Sequence, residues 1–265
     1  MSPQLEVEPK MNATQRRMEI YALLQKQTTA EVNDLAERFG VSTMTIRRDL
    51  ALFEKQGLVV TNYGGAYLNK GAGIEPAFAV KQGQMKQAKQ SIARKAAELV
   101  KDGDSIVLDC GTTPLQIVNY ILQKRITIIT NSWPVVNHIH GSSKAKLILA
   151  PGEYNEVSAG VISSMTMEFY RNFHADIVFI STQGFSAEQG GTVPDPADAD
   201  VKRSILNSGK RKVLVADHTK LGKVFLAKHA EPHDFDVIIT DDQADEKYIR
   251  KLKKVCGQVM IAEKT

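Results

Sequence analysis

Several loops of this 265-residue chain carry groups suited to holding an anion or a polyol, and each follows an apolar, β-rich run. After SIVL come Asp109, Cys110, Gly111, Thr112 and Thr113. The N–H groups of Gly111, Thr112 and Thr113, with the two hydroxyls, can form an anion nest. A helix starting there adds the positive end of its dipole, with Thr113 as cap and Pro114 as first helical residue. After KVLVA come Asp217 and Lys220: the lysine can neutralise a phosphate, while the aspartate accepts sugar hydroxyls or fixes the lysine. Thr130 and Asn131 end ITII and offer a hydroxyl and an amide suited to a polyol. Lys202 sits one helical turn beyond Asp198 and near Asp200, so it either meets a ligand or pairs with them. Each stretch alone also fits a plain β-α turn or a surface lysine. Their repeated placement at strand ends points to a ligand crevice, because open α/β sheets bind there.

A second constellation is cationic. In the helix expected from Ser42 to Gln56, Ile46, Leu50 and Phe53 share one side, while Met44, Arg47, Arg48, Ala51 and Lys55 centre on the other. A major groove admits such a helix, and Arg can fork onto guanine. Ser42, Thr43 and Thr45 at its start favour phosphate. The alternative is a helical hairpin with a solvated basic face.

These groups need elements to position them. A helix is expected from Asn12 to about Gln27, with Asn12 or Thr14 as N-cap. Thr29 is expected to cap a short helix burying Val32, Leu35, Ala36 and Phe39 and ending at Gly40. Only Val41 and its two neighbours separate that stop from the basic helix, which is helix-turn-helix spacing. LVVTNYGGAYL at 58–68 reads as a hairpin wing that would add DNA contacts through Asn62 and Tyr63. The expected domains are a disordered arm at 1–11, a winged helix-turn-helix at 12–70, a Gly-rich linker at 71–84, and an α/β domain at 85–265. In the last, an amphipathic helix precedes seven apolar runs at 105–109, 126–130, 146–150, 176–181, 212–217, 236–240 and 258–262. Continuous apolar strands are buried on both faces, so the fold class is α/β, Rossmann-like, with a mostly parallel sheet.

Composition sets limits. With 43% hydrophobic and 24% charged residues the chain can bury a core. It has no apolar run long enough to span a membrane and no signal region. Two cysteines, Cys110 and Cys256, suit a reducing cytoplasm. The net +4 lies wholly in residues 1–103, since 104–265 hold nineteen basic and nineteen acidic residues. No metal site is expected: His138 and His140, and His229 and His233, lack a completing cluster, and Pro232 spoils helical spacing for the second pair. Cys110 is read as a small packing residue, and no cofactor is implied.

From Gln15 to Ala66, with VNDLAERFGVSTMTIRRDL and the closing YGGA, the chain resembles the DeoR family of bacterial transcriptional regulators. DGDSIVLDCGTT, Thr130-Asn131, VKR at 201–203 and ADHTKLG at 216–222 continue the likeness across essentially the whole chain. The resemblance implies a sensor domain similar in fold to ribose-5-phosphate isomerase and glucosamine-6-phosphate deaminase. It also implies a phosphorylated sugar or polyol effector, double-stranded operator DNA, a dimer or tetramer, and usually repression of a carbohydrate operon. Gly152 and Gln183 join the implied effector set with Asp109, Gly111, Thr112, Thr113, Thr130, Asn131, Lys202, Asp217 and Lys220. Three departures stand out: Pro151-Gly152-Glu153 where many members have Gly-Gly, Gln183-Gly184 where Asp-Gly is common, and Thr61 where Arg is usual. The alternative function is a sugar-phosphate isomerase or deaminase, with Asp195, Asp198 and Asp200 as available bases.

Overall fold

The first helix, α1 (Ala13–Gln27), starts where a capping box closes. Gln15 N–H donates to Asn12 Oδ1 at 2.9 Å and Asn12 N–H returns to Gln15 Oε1 at 3.4 Å, satisfying amides a helix start leaves without partners. The computed structural model describes residues 11–55, 58–68, 78–139 and 144–264, in two units, Met1–Gln84 and Met85–Thr265. The expected arm at 1–10 lies outside the described residues.

In the first unit α1 is followed by β1 (Thr29–Glu31), α2 (Val32–Phe39), α3 (Thr43–Lys55), β2 (Val59–Thr61), β3 (Gly65–Leu68) and α4 (Phe78–Gly83). Gly40 ends α2 at φ 61°, the left-handed conformation glycine adopts without penalty. Ser42 Oγ accepts the Thr45 N–H at 3.2 Å and so starts α3. Ile20, Leu24, Val32, Leu35, Ile46 and Phe53 meet in the core.

Thr29, expected as a cap, is instead a strand residue opposite Tyr67, and α2 begins after Glu31 without a side-chain cap. The sheet runs β1-β3-β2, antiparallel throughout, and the ladder outweighs the local capping preference. Gly65 permits it: a Cβ there would stand 2.2 Å from the Ala30 carbonyl oxygen. Residues 78–83 of the expected linker are the helix α4, and Val80 enters the first unit's core. The glycines on either side had hidden the apolar residues Phe78 and Val80 in the composition.

The second unit comprises α5 (Lys86–Ala97), β4 (Ser105–Leu108), α6 (Thr112–Ile121), β5 (Thr127–Thr130), α7 (Trp133–Ile139), β6 (Lys146–Leu149), β7 (Tyr154–Asn155), β8 (Gly160–Val161) and α8 (Ser164–Tyr170). It continues with β9 (Ala175–Ile180), β10 (Gly184–Ser186), β11 (Gly190–Val193), α9 (Pro196–Asn207), β12 (Gly209–Val215), β13 (Ala227–Ala230), β14 (Val237–Asp241), α10 (Glu246–Leu252) and β15 (Gln258–Ala262). All seven apolar runs lie in one sheet of order β15-β14-β12-β9-β4-β5-β6, parallel at every pairing. The α/β expectation holds. From β4 the chain steps one way to β5 and β6, then restarts at β9 on the other side of β4. The crevice between the carboxyl ends of β4 and β9 is therefore the topological switch point, where such sheets bind ligands. A second sheet, β10-β11-β13, is antiparallel.

Candidate functional site

Asp109 leaves β4 at the switch point and is fully buried. Its Oδ2 accepts the Ser181 N–H at 2.9 Å, the Ser181 hydroxyl at 2.7 Å and Lys202 Nζ at 2.6 Å. Lys202 comes from α9 and its side chain is 3% exposed, with Asp198 at 3.9 Å on its other side. So Lys202 pairs, and its main partner is Asp109. Burial pushes the Asp109 carboxyl up, but the Lys202 charge and the Ser181 hydrogen bonds outweigh it and hold the pKa below the usual range. Burial opposes the lysine's charge too, yet Asp109 and then Asp198 raise its pKa.

Gly111 lets the ends of β4 and β9 close on each other, since a Cβ would stand 2.2 Å from Ser181 Oγ. It is also the N-cap of α6, in extended conformation with no side-chain cap bond. Thr113 is thus not the cap, and Pro114 is the third helical residue rather than the first. The consequence for the nest is modest. Thr112 and Thr113 occupy the first two helical positions, whose N–H groups have no intrahelical acceptor. Both side chains are mostly buried.

On the β12 side, Lys220 Nζ donates to Gln183 Oε1 at 3.4 Å, so the loop after β9 meets Asp109 through Ser181 and Lys220 through Gln183. Asp217 does not face outward as a hydroxyl acceptor. It is 1% exposed, and its Oδ1 takes the Thr219 N–H at 3.0 Å and the Thr219 hydroxyl, fixing the single turn that carries Lys220. His218 braces the same turn from the other side: its N–H donates to Asp241 Oδ1 at 2.7 Å and its Nδ1 lies 2.7 Å from Oδ2. Sequence reasoning missed that pair, although an Asp ending β14 beside a His after β12 was its signal.

Thr130 and Asn131 are fully buried and work internally. The Thr130 hydroxyl donates to the Leu108 carbonyl at 2.7 Å and accepts the Ser132 N–H at 3.0 Å. Asn131 Nδ2 donates to the Val161 carbonyl at 3.0 Å, and its Oδ1 takes the Tyr170 hydroxyl at 3.5 Å. Gly152, at φ 138°, lies against α8, where a Cβ would meet Ser163 Oγ at 2.2 Å. His229, another residue missed, is buried with Nε2 3.0 Å from Thr182 Oγ1. That hydroxyl donates to the Gly184 or Thr192 carbonyl, so Nε2 carries the imidazole proton and Nδ1 is a buried acceptor without a protein partner. Burial, then the Lys202 charge, pushes this histidine down to about 3. Cys110 is buried, and Gly160 packs on it so closely that a Cβ would stand 2.7 Å from its sulfur.

In the first unit, Thr43, Met44, Arg47, Arg48 and Lys55 are exposed, while Thr45 is partly buried with its hydroxyl 2.9 Å from Ser42 Oγ. Arg47 Nη2 donates to the Tyr63 carbonyl at 3.2 Å, joining wing to helix on one face. Asn62 builds the wing turn, its Oδ1 accepting the N–H of Gly64 at 3.1 Å and Gly65 at 2.7 Å. Tyr63 at the tip is 98% exposed. Among the described residues there is no group of His, Cys, Asp and Glu able to hold a metal, and no helix long and apolar enough to cross a membrane.

Comparison with known proteins agrees with this geometry. The DeoR-like helix-turn-helix domain matches residues 16–72 and the DeoR C terminal sensor domain matches residues 84–242. The glycerol-3-phosphate regulon repressor of Escherichia coli (strain K12) is 31% identical over 87% of this chain and 92% of its own. The HTH-type transcriptional regulator YgbI of the same strain is 31% identical over 96% and 99%. GolR, an HTH-type transcriptional regulator of Listeria innocua, is 28% identical over 94% and 98%. A helix-turn-helix with an exposed cationic face, followed by a parallel-sheet sensor and matched by regulators along nearly its whole length, makes this chain a member of the DeoR family of transcriptional regulators.

Proposed function

We propose that the protein represses a carbohydrate-catabolism operon and that a phosphorylated sugar or polyol, bound at the switch point, controls its hold on operator DNA. The observation carrying this is the loop after β9, bonded to Asp109 at the start of α6 and to Lys220 after β12. An anion placed there meets the α6 amino terminus on one side and a lysine held by a capped turn on the other. Asp109 and Lys202 neutralise each other, so the ligand's anion would be met by the Thr112 and Thr113 amides and by Lys220 alongside its bond to Gln183.

On the DNA side, Arg47 and Arg48 read base edges, with Ser42, Thr43, Lys55 and the wing at the backbone. Residues 12–70 carry eight basic and six acidic residues, too small an excess for tight binding by one copy. A dimer or tetramer supplies the rest by holding two recognition helices on successive grooves. The effector acts by binding the DNA-competent and incompetent arrangements unequally.

A thermal-shift screen of pentose, hexose and hexosamine phosphates and glycerol 3-phosphate tests the sensor assignment. A ligand at one hundred times its Kd stabilises by about 2.7 kcal/mol, or about 5–10 °C for a unit this size. Lys220→Ala should abolish most of that shift while leaving the melting of the free protein within about 2 °C. If no phosphorylated sugar or polyol raises the wild-type melting temperature, the sensor assignment falls.

A further inference from the structure

The carboxylate of Asp49 on α3 is 1% exposed and is held by two arginines of α1: Arg16 Nε donates to its Oδ2 and Arg17 Nε to its Oδ1, each at 2.7 Å. One buried negative charge needs one cation. Arg16, with a side chain 9% exposed, meets that need from inside the domain. Arg17 is therefore in excess, and its side chain is 37% exposed. Its bond to Asp49 uses Nε, and of the four terminal N–H groups only the one parallel to Nε–H shares that direction, which leaves three directed elsewhere. The triad is a preorganised fork with one net positive charge.

Its place on the domain says what the fork meets. With Met44 as the groove-floor direction, 100° per residue puts Arg48 roughly 40°, Leu52 roughly 80° and Asp49 roughly 140° round one flank. Arg17 and Leu52 line the same surface pocket, so Arg17 stands on that flank beyond Arg48. A major groove about 12 Å wide just admits a helix about 10–12 Å across, so floor-facing side chains meet bases and flank side chains meet the walls. The walls are phosphates. An arginine whose Nε edge is already engaged still offers the N–H groups of its outer edge to such an anion at little further cost in side-chain order.

We infer that Arg17 is a DNA-backbone contact, aimed by Asp49, that clamps a phosphate on the wall of the groove read by α3. It rests on the DNA-binding reading above and adds a second element, α1, to the interface. It also gives the buried carboxylate a task besides packing: Asp49 holds Arg17 in place while Arg16 keeps the site neutral.

The test uses the full chain and a duplex selected from a random-sequence pool by the wild-type protein, with Kd measured by fluorescence anisotropy across a salt series. Arg17→Met keeps the aliphatic stem beside Leu52 and removes the charge. It should weaken binding about three- to tenfold near 0.1 M salt, and lower the magnitude of the slope of log K against log salt by about 0.9 for each copy bound. Base preference should not change, because a phosphate contact carries no sequence information. Arg17→Lys restores the charge and should recover most of the slope, whereas a merely structural role would leave the slope untouched in both variants. Arg16 still holds Asp49 in either one, so the melting temperature is expected to stay near wild type. Arg47→Ala separates the two levels of inference: if it weakens binding while Arg17→Met leaves affinity and slope unchanged, the Arg17 contact is overturned and the DNA reading stands. If the wild-type protein selects no duplex, both fall.

Discussion

Replacing Lys202 by methionine should destabilise the sensor unit strongly, because among the described residues Lys202 is the cation that pairs with Asp109. Its carboxylate is fully buried, and among the described residues its charged contact is Lys202 Nζ at 2.6 Å, with neutral bonds from Ser181 beside it. Removing one partner of such a pair costs about 3–5 kcal/mol, or about 6–20 °C for a unit of this length. Asp109→Asn should cost less, since Lys202 keeps Asp198 at 3.9 Å. The double variant should recover much of the loss, because neither charge is then left buried alone. Circular-dichroism melts of the four proteins, without ligand, measure this directly. The pH dependence follows from the directions of the two shifts. Asp109 has a folded pKa below its unfolded value, so its contribution is present above about pH 4 and is lost as pH falls through the folded value. Lys202 has a raised folded pKa, so its share is present below about pH 10 and fades only as pH rises through that value. The pair's contribution should thus be level across the neutral range and decline in acid. A Lys202→Met protein melting within about 2 °C of wild type, or a double variant whose loss equals the sum of the singles, would refute the reasoning.

His229 sets a second acid-sensitive slope. Its pKa is near 3 in the folded chain against 6.5 for the free side chain, so between those values the unfolded chain takes up a proton the folded chain refuses. Stability should fall by about 1.4 kcal/mol per unit as pH drops below about 6.5, and His229→Gln should flatten that component in urea titrations at stepped pH. Within the wing, Gly65→Ala would drive a Cβ to 2.2 Å from the Ala30 oxygen, whereas the same change at Gly64 meets nothing within 4 Å. Gly65→Ala should lower the melting point of the first unit and weaken DNA binding together, with Gly64→Ala near wild type in both assays.

How much the sequence could tell depended on whether a feature was local. SIVL, TIIT and DIVFI announce buried parallel strands because, apart from the leading Ser105 and Asp176, every residue in them is apolar or β-branched, and the sheet contains them all. The strands of the antiparallel sheet, GFS, GGTV and AKHA, are glycine-rich or polar and become strands only by pairing with one another. β1 is likewise three residues that a distant glycine, Gly65, allows to pair. The same division runs through the site. The Asp109 loop was legible as a strand end before a helix. That Asp109 is bonded to a lysine 93 residues later, or Asp49 to arginines 32 and 33 residues earlier, was not, because no local spacing encodes it. Thr130 and Asn131, whose side chains bond backbone groups, show the same division. A polar residue at a strand end looks the same in sequence whether it faces the crevice or caps backbone groups beneath it.

The state of the acidic residues also argues against catalysis at this crevice. Enolisation needs a base with a free lone pair in reach of a carbon-bound proton and a pKa near the working pH. Among the described residues Asp109 keeps Oδ1 without a hydrogen-bond partner, but Lys202 and Ser181 on Oδ2 hold its pKa low, which makes it a weak base at neutral pH. The three aspartates available as alternatives are committed as well. Asp195 caps α9, accepting the Ala197 N–H at 2.9 Å, Asp198 lies beside Lys202, and Asp200 pairs with Arg203. Gln183, at the loop facing Lys220, can hydrogen-bond a ligand but cannot take its proton. These carboxylates are held by cations and a helix start, next to Lys220 on its capped turn and the first amides of α6. Under the proposed function, such a site would hold an anion by fixed donors, and a shared architecture would be no warrant for a shared reaction.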